Sequence, residues 1–194
     1  ENIGWKELLT VAKVYAFMAP GMEEVECLAV ADVLIRGGVE VNLVSITDSL
    51  EVVSSHKITV KADCLLKDVD WENGDVFFLP GGLPGAPNLA ACKELGEHLV
   101  QAYEAGKRVA AICAGPSVLG GLGILEGKTA TCFPGFEDKL TGAEYTRQGV
   151  VTDGNVTTAR GLGYALDLGL ELLKLLDSPE AAAKIKAAIQ YDQV

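Results

Sequence analysis

A chain of 194 residues that is 49% hydrophobic carries enough apolar material for one sizeable core. Its net charge of -11 and pI near 4.6, with no local cluster of Lys or Arg, exclude a phosphate backbone as a natural partner, so no nucleic acid is expected. Uninterrupted apolar runs reach only about six residues against the ~20 needed to cross a bilayer, so no membrane span is expected either.

No basic head, apolar middle and small-residue cleavage site combine at the amino-terminal end, which points to the cytoplasm rather than to secretion. Residues 1–12 precede the first clear strand and read as an extension or appended remnant; a single domain is expected over 13–190. From Lys13 to Ile46, KVYAFMAPGMEEVECLAVADVLIRGGVEVNLVSI opens with a β-type run and turns at Pro20 and Gly21. It continues in a helical pattern, stops at Gly37 and Gly38, and returns to β-type residues, the order of a βαβ unit. EVVSSHKITVKAD, Glu51 to Asp63, alternates β-branched residues around Ser54 and Ser55 and predicts a hairpin attached to the sheet.

GDVFFLPGG (Gly74 to Gly82) and KRVAAICAG (Lys107 to Gly115) are near-continuous apolar runs ending at glycine-rich turns, the pattern of parallel strands covered on both faces. Asn88 to Ala105 between them reads as helix. Strands are expected at Lys128 to Cys132, Val150 to Thr152 and Val156 to Ala159. Helices are expected at Tyr164 to Leu176 and Pro179 to Ile189, the last with Ser178 as its N-cap and Pro179 at its first position. The alternation specifies an α/β fold, a doubly wound and mostly parallel sheet with helices on both faces. Ligands of such sheets bind beyond the carboxyl ends of the central strands.

One of those ends carries a nucleophile type. Cys113 leaves an apolar strand and enters a helix through Ala114 and Gly115, as in the strand–turn–helix elbow that usually reads G-x-S-x-G. Small neighbours permit the sharp turn, the amide after the nucleophile points where an oxyanion would lie, and the helix dipole is expected to lower the thiol pKa. The alternative is a buried cysteine serving as a small hydrophobe. Cys27, Cys64, Cys92 and Cys132 lack the elbow, and no metal spacing links the five cysteines, so neither a disulfide framework nor a zinc site is expected.

A thiol nucleophile commonly takes histidine as its base. His56 falls in the hairpin and His98 in a helix, the latter read as a surface residue, so a Cys-His-acid triad has little support. Carboxylates remain. PGMEEVE places Glu23, Glu24 and Glu26 at the start of the first helix, at the correct end of the sheet. Glu23 and Glu24 are expected to be solvated groups complementing the helix dipole. Glu26 shares a face with Val30 and Val33 and can turn inward. An ionised Glu26 beside Cys113 would raise the thiol pKa; a protonated one could donate a hydrogen bond to a thiolate or its oxidised oxygen.

FLPGG (Phe78 to Gly82), AAICAGP (Ala110 to Pro116), PGMEEVE (Pro20 to Glu26) and ARGLG (Ala159 to Gly163) together resemble the ThiJ/PfpI superfamily, most closely its YajL-like branch, from about Lys13 to about Ile189. The resemblance implies a flavodoxin-like homodimer that needs no cofactor. It also implies Cys113 as the reactive nucleophile, Glu26 as its protonated partner, and the Gly82 and Ala114 amides as oxyanion-type donors. Gly81, Phe133, Pro134 and His56 would border the pocket. Phe133 stands where the family often has a histidine, which removes one proton carrier. His56 aligns with a basic residue that reaches toward the partner subunit's site, and Arg36 and Arg160 with basic positions near the dimer interface.

The activity so implied is cofactor-free, glyoxalase III-like or deglycase-like chemistry on a small aldehyde or a glycated amine. A different class is an oxidative-stress sensor or chaperone acting through a Cys113 sulfinate. Peptidase and amidotransferase branches of the superfamily place a histidine beside or downstream of the nucleophile; here Ala114 follows it.

Overall fold

The computed structural model describes residues 10–192; the reading of residues 1–12 as an extension falls almost wholly outside them. In chain order the strands and helices are β1 (Lys13–Met18), α1 (Glu24–Arg36), β2 (Glu40–Ser45), β3 (Glu51–Val53), β4 (Thr59–Lys61), β5 (Cys64–Leu65) and β6 (Val76–Leu79). They continue with α2 (Gly85–Ala91), α3 (Lys93–Glu104), β7 (Arg108–Ile112), α4 (Pro116–Gly121), β8 (Thr129–Ala130) and β9 (Glu144–Tyr145). The chain closes through β10 (Val150–Asp153), β11 (Val156–Ala159), α5 (Ala165–Leu176) and α6 (Pro179–Ala188).

The main sheet runs β10-β11-β7-β6-β1-β2-β5, parallel throughout except for the antiparallel β10–β11 edge. Alternation along each strand divides the core into two layers. Tyr15, Phe17, Phe77, Leu79, Val109 and Ala111 face the side covered by α2, α3 and α4. Val14, Ala16, Met18, Val76, Phe78, Ala110 and Ile112 face the side covered by α1, α5 and α6. Strands buried on both faces have no polar side to alternate with, which is why VFFL and VAAI read as unbroken apolar runs.

After β2 the connections change direction: β1 and β2 lie on one side and β6 returns to the other flank of β1. The carboxyl ends of β1, β6 and β7 therefore converge where a doubly wound sheet opens a crevice. No described helix is long and apolar enough to cross a membrane.

Three details differ from the sequence reading. The β3–β4 hairpin pairs only with itself and is held by loop contacts, Gly21 N–H to Val53 O (2.8 Å) and Ser55 N–H to Met22 O (2.9 Å). The helix expected over Asn88 to Ala105 begins earlier, at Gly85, and breaks at Cys92, whose ψ of 93° is extended. The expected β run Lys128 to Cys132 contracts to two residues paired with β9. Ser178 does cap α6, accepting from Ala181 N–H at 3.0 Å, with Pro179 at the first position.

Candidate functional site

Three chain segments meet at this crevice: the loop from β1 into α1, the Gly81-Gly82 turn after β6, and the Cys113 turn after β7. Cys113 has φ +65°, a left-handed conformation that a β-carbon makes costly. Backbone bonds hold it there: its N–H donates to Ala159 O and its carbonyl accepts from Phe133 N–H, both at 2.9 Å, while Gly115 N–H closes back on Ile112 O at 2.8 Å. Gly115 fits because a β-carbon would lie 2.7 Å from Leu79 O. The side chain is half-buried, not sealed.

Glu26 is fully buried. Its position follows from the helix start, where Glu23 caps α1 and accepts the Glu26 N–H at 2.6 Å. Neither Glu26 oxygen has a hydrogen-bond partner of ordinary geometry, and both are shut off from solvent. The Cys113 thiol beside them interacts by hydrogen bonding and charge. Gly81 makes the approach possible, since a β-carbon there would sit 2.8 Å from Cys113 Cβ and 2.9 Å from Glu26 Oε1.

Burial pushes the Glu26 carboxyl up to about 8, with the Glu23 charge adding and the Cys113 hydrogen bond opposing. Burial likewise pushes the Cys113 thiol up to about 12, reinforced by the charge and hydrogen bond of Glu26; the Ala114 and Gly82 amides act in the opposite direction. The expected lowering of the thiol by the helix dipole is thus outweighed, because α4 is only six residues long and the sulfur shares its niche with a carboxyl. Both shifts favour the protonated forms of the pair. Its first ionisation leaves one proton between sulfur and oxygen, and in the form with a neutral Glu26 the like-charge repulsion on the thiolate is absent.

The Gly82 and Ala114 amides meet the sulfur itself. Gly82 takes φ +92°, and a β-carbon on it would lie 2.4 Å from Glu23 N, so the turn and the helix start are in close contact. Phe133 and Pro134 are exposed and, with Arg160, Gly161, Leu162, Gly163 and Tyr164, line an open cleft of about 330 Å³ joined to Cys113 through the Phe133 amide.

The other candidates lie apart from the thiol. His98 stacks on Trp71, centroids 4.7 Å apart, on the opposite face of the sheet. Cys27 and Cys132 are buried thiols pushed up to about 12 and about 11, chiefly by burial. His56 stands on the hairpin with its Nδ1 2.7 Å from Glu24 Oε1 and 3.7 Å from Glu23 Oε1.

Glu23 and Glu24 are 9% and 7% exposed, so the expectation of solvated first-turn groups is corrected: the hairpin folds over them. Burial tends to raise Glu24, but hydrogen bonds from its backbone, His56 and Ser54 together hold its carboxyl below the usual range. Glu23, Glu24 and His56 form the one group of three or more His, Cys, Asp or Glu among the described residues whose donor atoms all lie within 4.8 Å of one another.

The DJ-1/PfpI family model matches residues 12–175. The chain is 37% identical over 172 residues to Protein DJ-1 homolog B of Arabidopsis thaliana, covering 88% of this chain and 39% of that one. It is also 37% identical over 161 residues to Glutathione-independent glyoxalase DJR-1.2 of Caenorhabditis elegans, covering 81% and 84%. Oxidized DJ-1 of Toxoplasma gondii superposes with a TM-score of 0.90 at 34% identity, covering 94% of this chain and 100% of that one. The chain spans less than half the length of the two Arabidopsis relatives it matches.

Proposed function

The chain belongs to the DJ-1/PfpI family, and from that membership and the buried Glu26–Cys113 pair we propose that it is a cysteine enzyme of carbonyl-stress defence. Its substrates are glyoxal, methylglyoxal or early glycation adducts, and it works in the cytoplasm as a homodimer. The observation that carries the reading is a fully buried carboxyl with the elbow thiol hydrogen-bonded beside it. The relative from Caenorhabditis elegans, named a glutathione-independent glyoxalase, supports it.

The chemistry needs one nucleophile and one mobile proton. In the singly ionised pair the Cys113 thiolate attacks the aldehyde carbon; a C–S bond forms, the carbonyl π pair moves to oxygen, and that oxygen takes the proton from Glu26. The Gly82 and Ala114 amides stabilise the developing charge as it moves from sulfur to oxygen. The Glu26 carboxylate then removes the hydrogen from the former aldehyde carbon and returns it to the adjacent ketone carbon, while the hydroxyl proton on the first carbon passes to the former ketone oxygen, leaving a thioester carbonyl beside a new hydroxyl. One carbon is oxidised and its neighbour reduced, so no external oxidant enters. Water cleaves the resulting thioester, releasing the 2-hydroxy acid and restoring the thiol. Steady-state kinetics on methylglyoxal, without amine buffers that scavenge aldehydes, test this. Full turnover by Cys113→Ala would refute it.

A second reading shares the same site. Peroxide oxidation of Cys113 through sulfenate to sulfinate would leave oxygens able to accept from the neutral Glu26 carboxyl and the two amides, consistent with a stress-sensing or chaperone role. Preferential double oxygenation of Cys113 under mild peroxide supports it by mass spectrometry; equal oxidation of all five cysteines contradicts it. The homodimer is supported by exposed Val25 and Leu28 on α1 beside Leu166, an apolar patch around a hollow of about 400 Å³. A monomer in analytical ultracentrifugation would exclude it.

A further inference from the structure

The cluster above the α1 start has more negative charge than its one basic partner can satisfy. Glu23 Oε2 is committed to the Glu26 N–H, and Glu24 Oε1 to His56 Nδ1. Glu23 Oε1 and Glu24 Oε2 are buried and have no hydrogen-bond partner of ordinary geometry, although Ser54 and the Glu24 backbone amide also favour the Glu24 charge, and the Glu24 side chain is only 9% exposed. His56 offers one proton at Nδ1 and at most one charge. At 3.7 Å it reaches Glu23 with charge but no hydrogen bond. Among the described residues no Lys or Arg forms an ion pair with either carboxylate. Enclosed oxygens left in this state are costly.

The donor set suggests what completes it. One imidazole nitrogen and two carboxylates suit borderline divalent cations, and ligands held about 2 Å from such an ion stand about 3–4 Å from one another. The separations of 2.7 Å and 3.7 Å, in a cluster whose donor atoms all lie within 4.8 Å of one another, need only side-chain adjustment to reach that spacing. In the single chain His56 is two-thirds exposed, which leaves the remaining positions on an ion open to water or to a group of a partner chain. We propose that Glu23, Glu24 and His56 bind one divalent cation of the zinc and nickel class, which fastens the β3–β4 hairpin to the first turn of α1. The site does not use Cys113, although Glu23 also caps the Glu26 N–H, and its proposal does not rest on the Cys113 chemistry.

The chain has two histidines, so its ring nitrogens are readily distinguished by NMR, with His98 as an internal control. Addition of zinc ion to the full chain is expected to shift the His56 ring signals and leave those of His98 in place. Calorimetry with zinc chloride should give one equivalent per chain. His56→Ala and Glu24→Gln should each weaken it tenfold or more, whereas Cys113→Ala should bind as the parent does. Unshifted His56 signals with zinc bound, binding lost in Cys113→Ala but kept in His56→Ala, or no binding at millimolar zinc would each overturn the proposal.

Discussion

Glu24 and Glu26 stand two residues apart on the same helical turn, yet their surroundings drive their carboxyls in opposite directions. Both are buried, and burial alone pushes both upward. Glu24 has a backbone amide, an imidazole at 2.7 Å and a serine hydroxyl that hold its charged form; Glu26 has a thiol and the charge of Glu23. Residue type and burial are shared, so the partners on either side of the helix start decide the protonation state. One carboxyl then serves as an anion fastening a hairpin and the other as a stored proton.

Removing the stored proton has the largest expected effect. Cys113→Ser should cost at least ~1,000-fold in methylglyoxal turnover, and Glu26→Gln about 100- to 10,000-fold, the range for losing a positioned acid or base. In the parent, kcat/KM should rise with pH around a midpoint of about 8, where the pair first ionises; a flat profile from pH 6 to 9 would break the comparison. Gly81→Ala acts by space alone: its β-carbon would meet Cys113 Cβ, Ile112 O and Glu26 Oε1 at 2.8–2.9 Å. Turnover should fall about tenfold or more through misplacement of the pair, with about 1–3 kcal/mol of overpacking strain in the melting curve.

Stability separates the two carboxyls by sign. The folded value for Glu26 lies above its unfolded 4.5, so its neutral form contributes fully below pH 4.5 and that contribution is lost as pH climbs toward 8. Glu26→Gln, always neutral, should therefore gain on the parent by about 3 kcal/mol between pH 4.5 and pH 7, read by denaturant melts at each pH. Glu24 is lowered, so its contribution is present above pH 4.5 and lost as pH falls through its folded value. The smallest change is expected for His56→Ala, about 1–2 kcal/mol at pH 7, from one charge-assisted hydrogen bond at an exposed rim. That loss should shrink in acid.

Much of this was legible in the sequence because it lies in local patterns. Two-sided burial shows as the unbroken VFFL and VAAI runs, the elbow as small residues around Cys113, and the inward turn of Glu26 as helical spacing to Val30 and Val33. Long-range docking left no such trace. Nothing near PGMEEVE announces that Ser55 N–H will bond Met22 O and lay the hairpin over Glu23 and Glu24, so acids typical of a solvated helix start are in fact enclosed. The break at Cys92 has no adjacent glycine or proline to signal it. The thiol is raised rather than lowered for the same reason, since burial and the carboxyl come from residues distant in the chain.

Everything in the proposed chemistry depends on Glu26 holding its proton at neutral pH while every ordinary carboxyl has lost its own. Carbon-13 NMR of glutamate side-chain carboxyls, with Glu26 assigned by its absence in Glu26→Gln, measures this directly. A Glu26 signal titrating near pH 8 is the expected result. One that titrates near pH 4.5 with the surface glutamates would contradict the account.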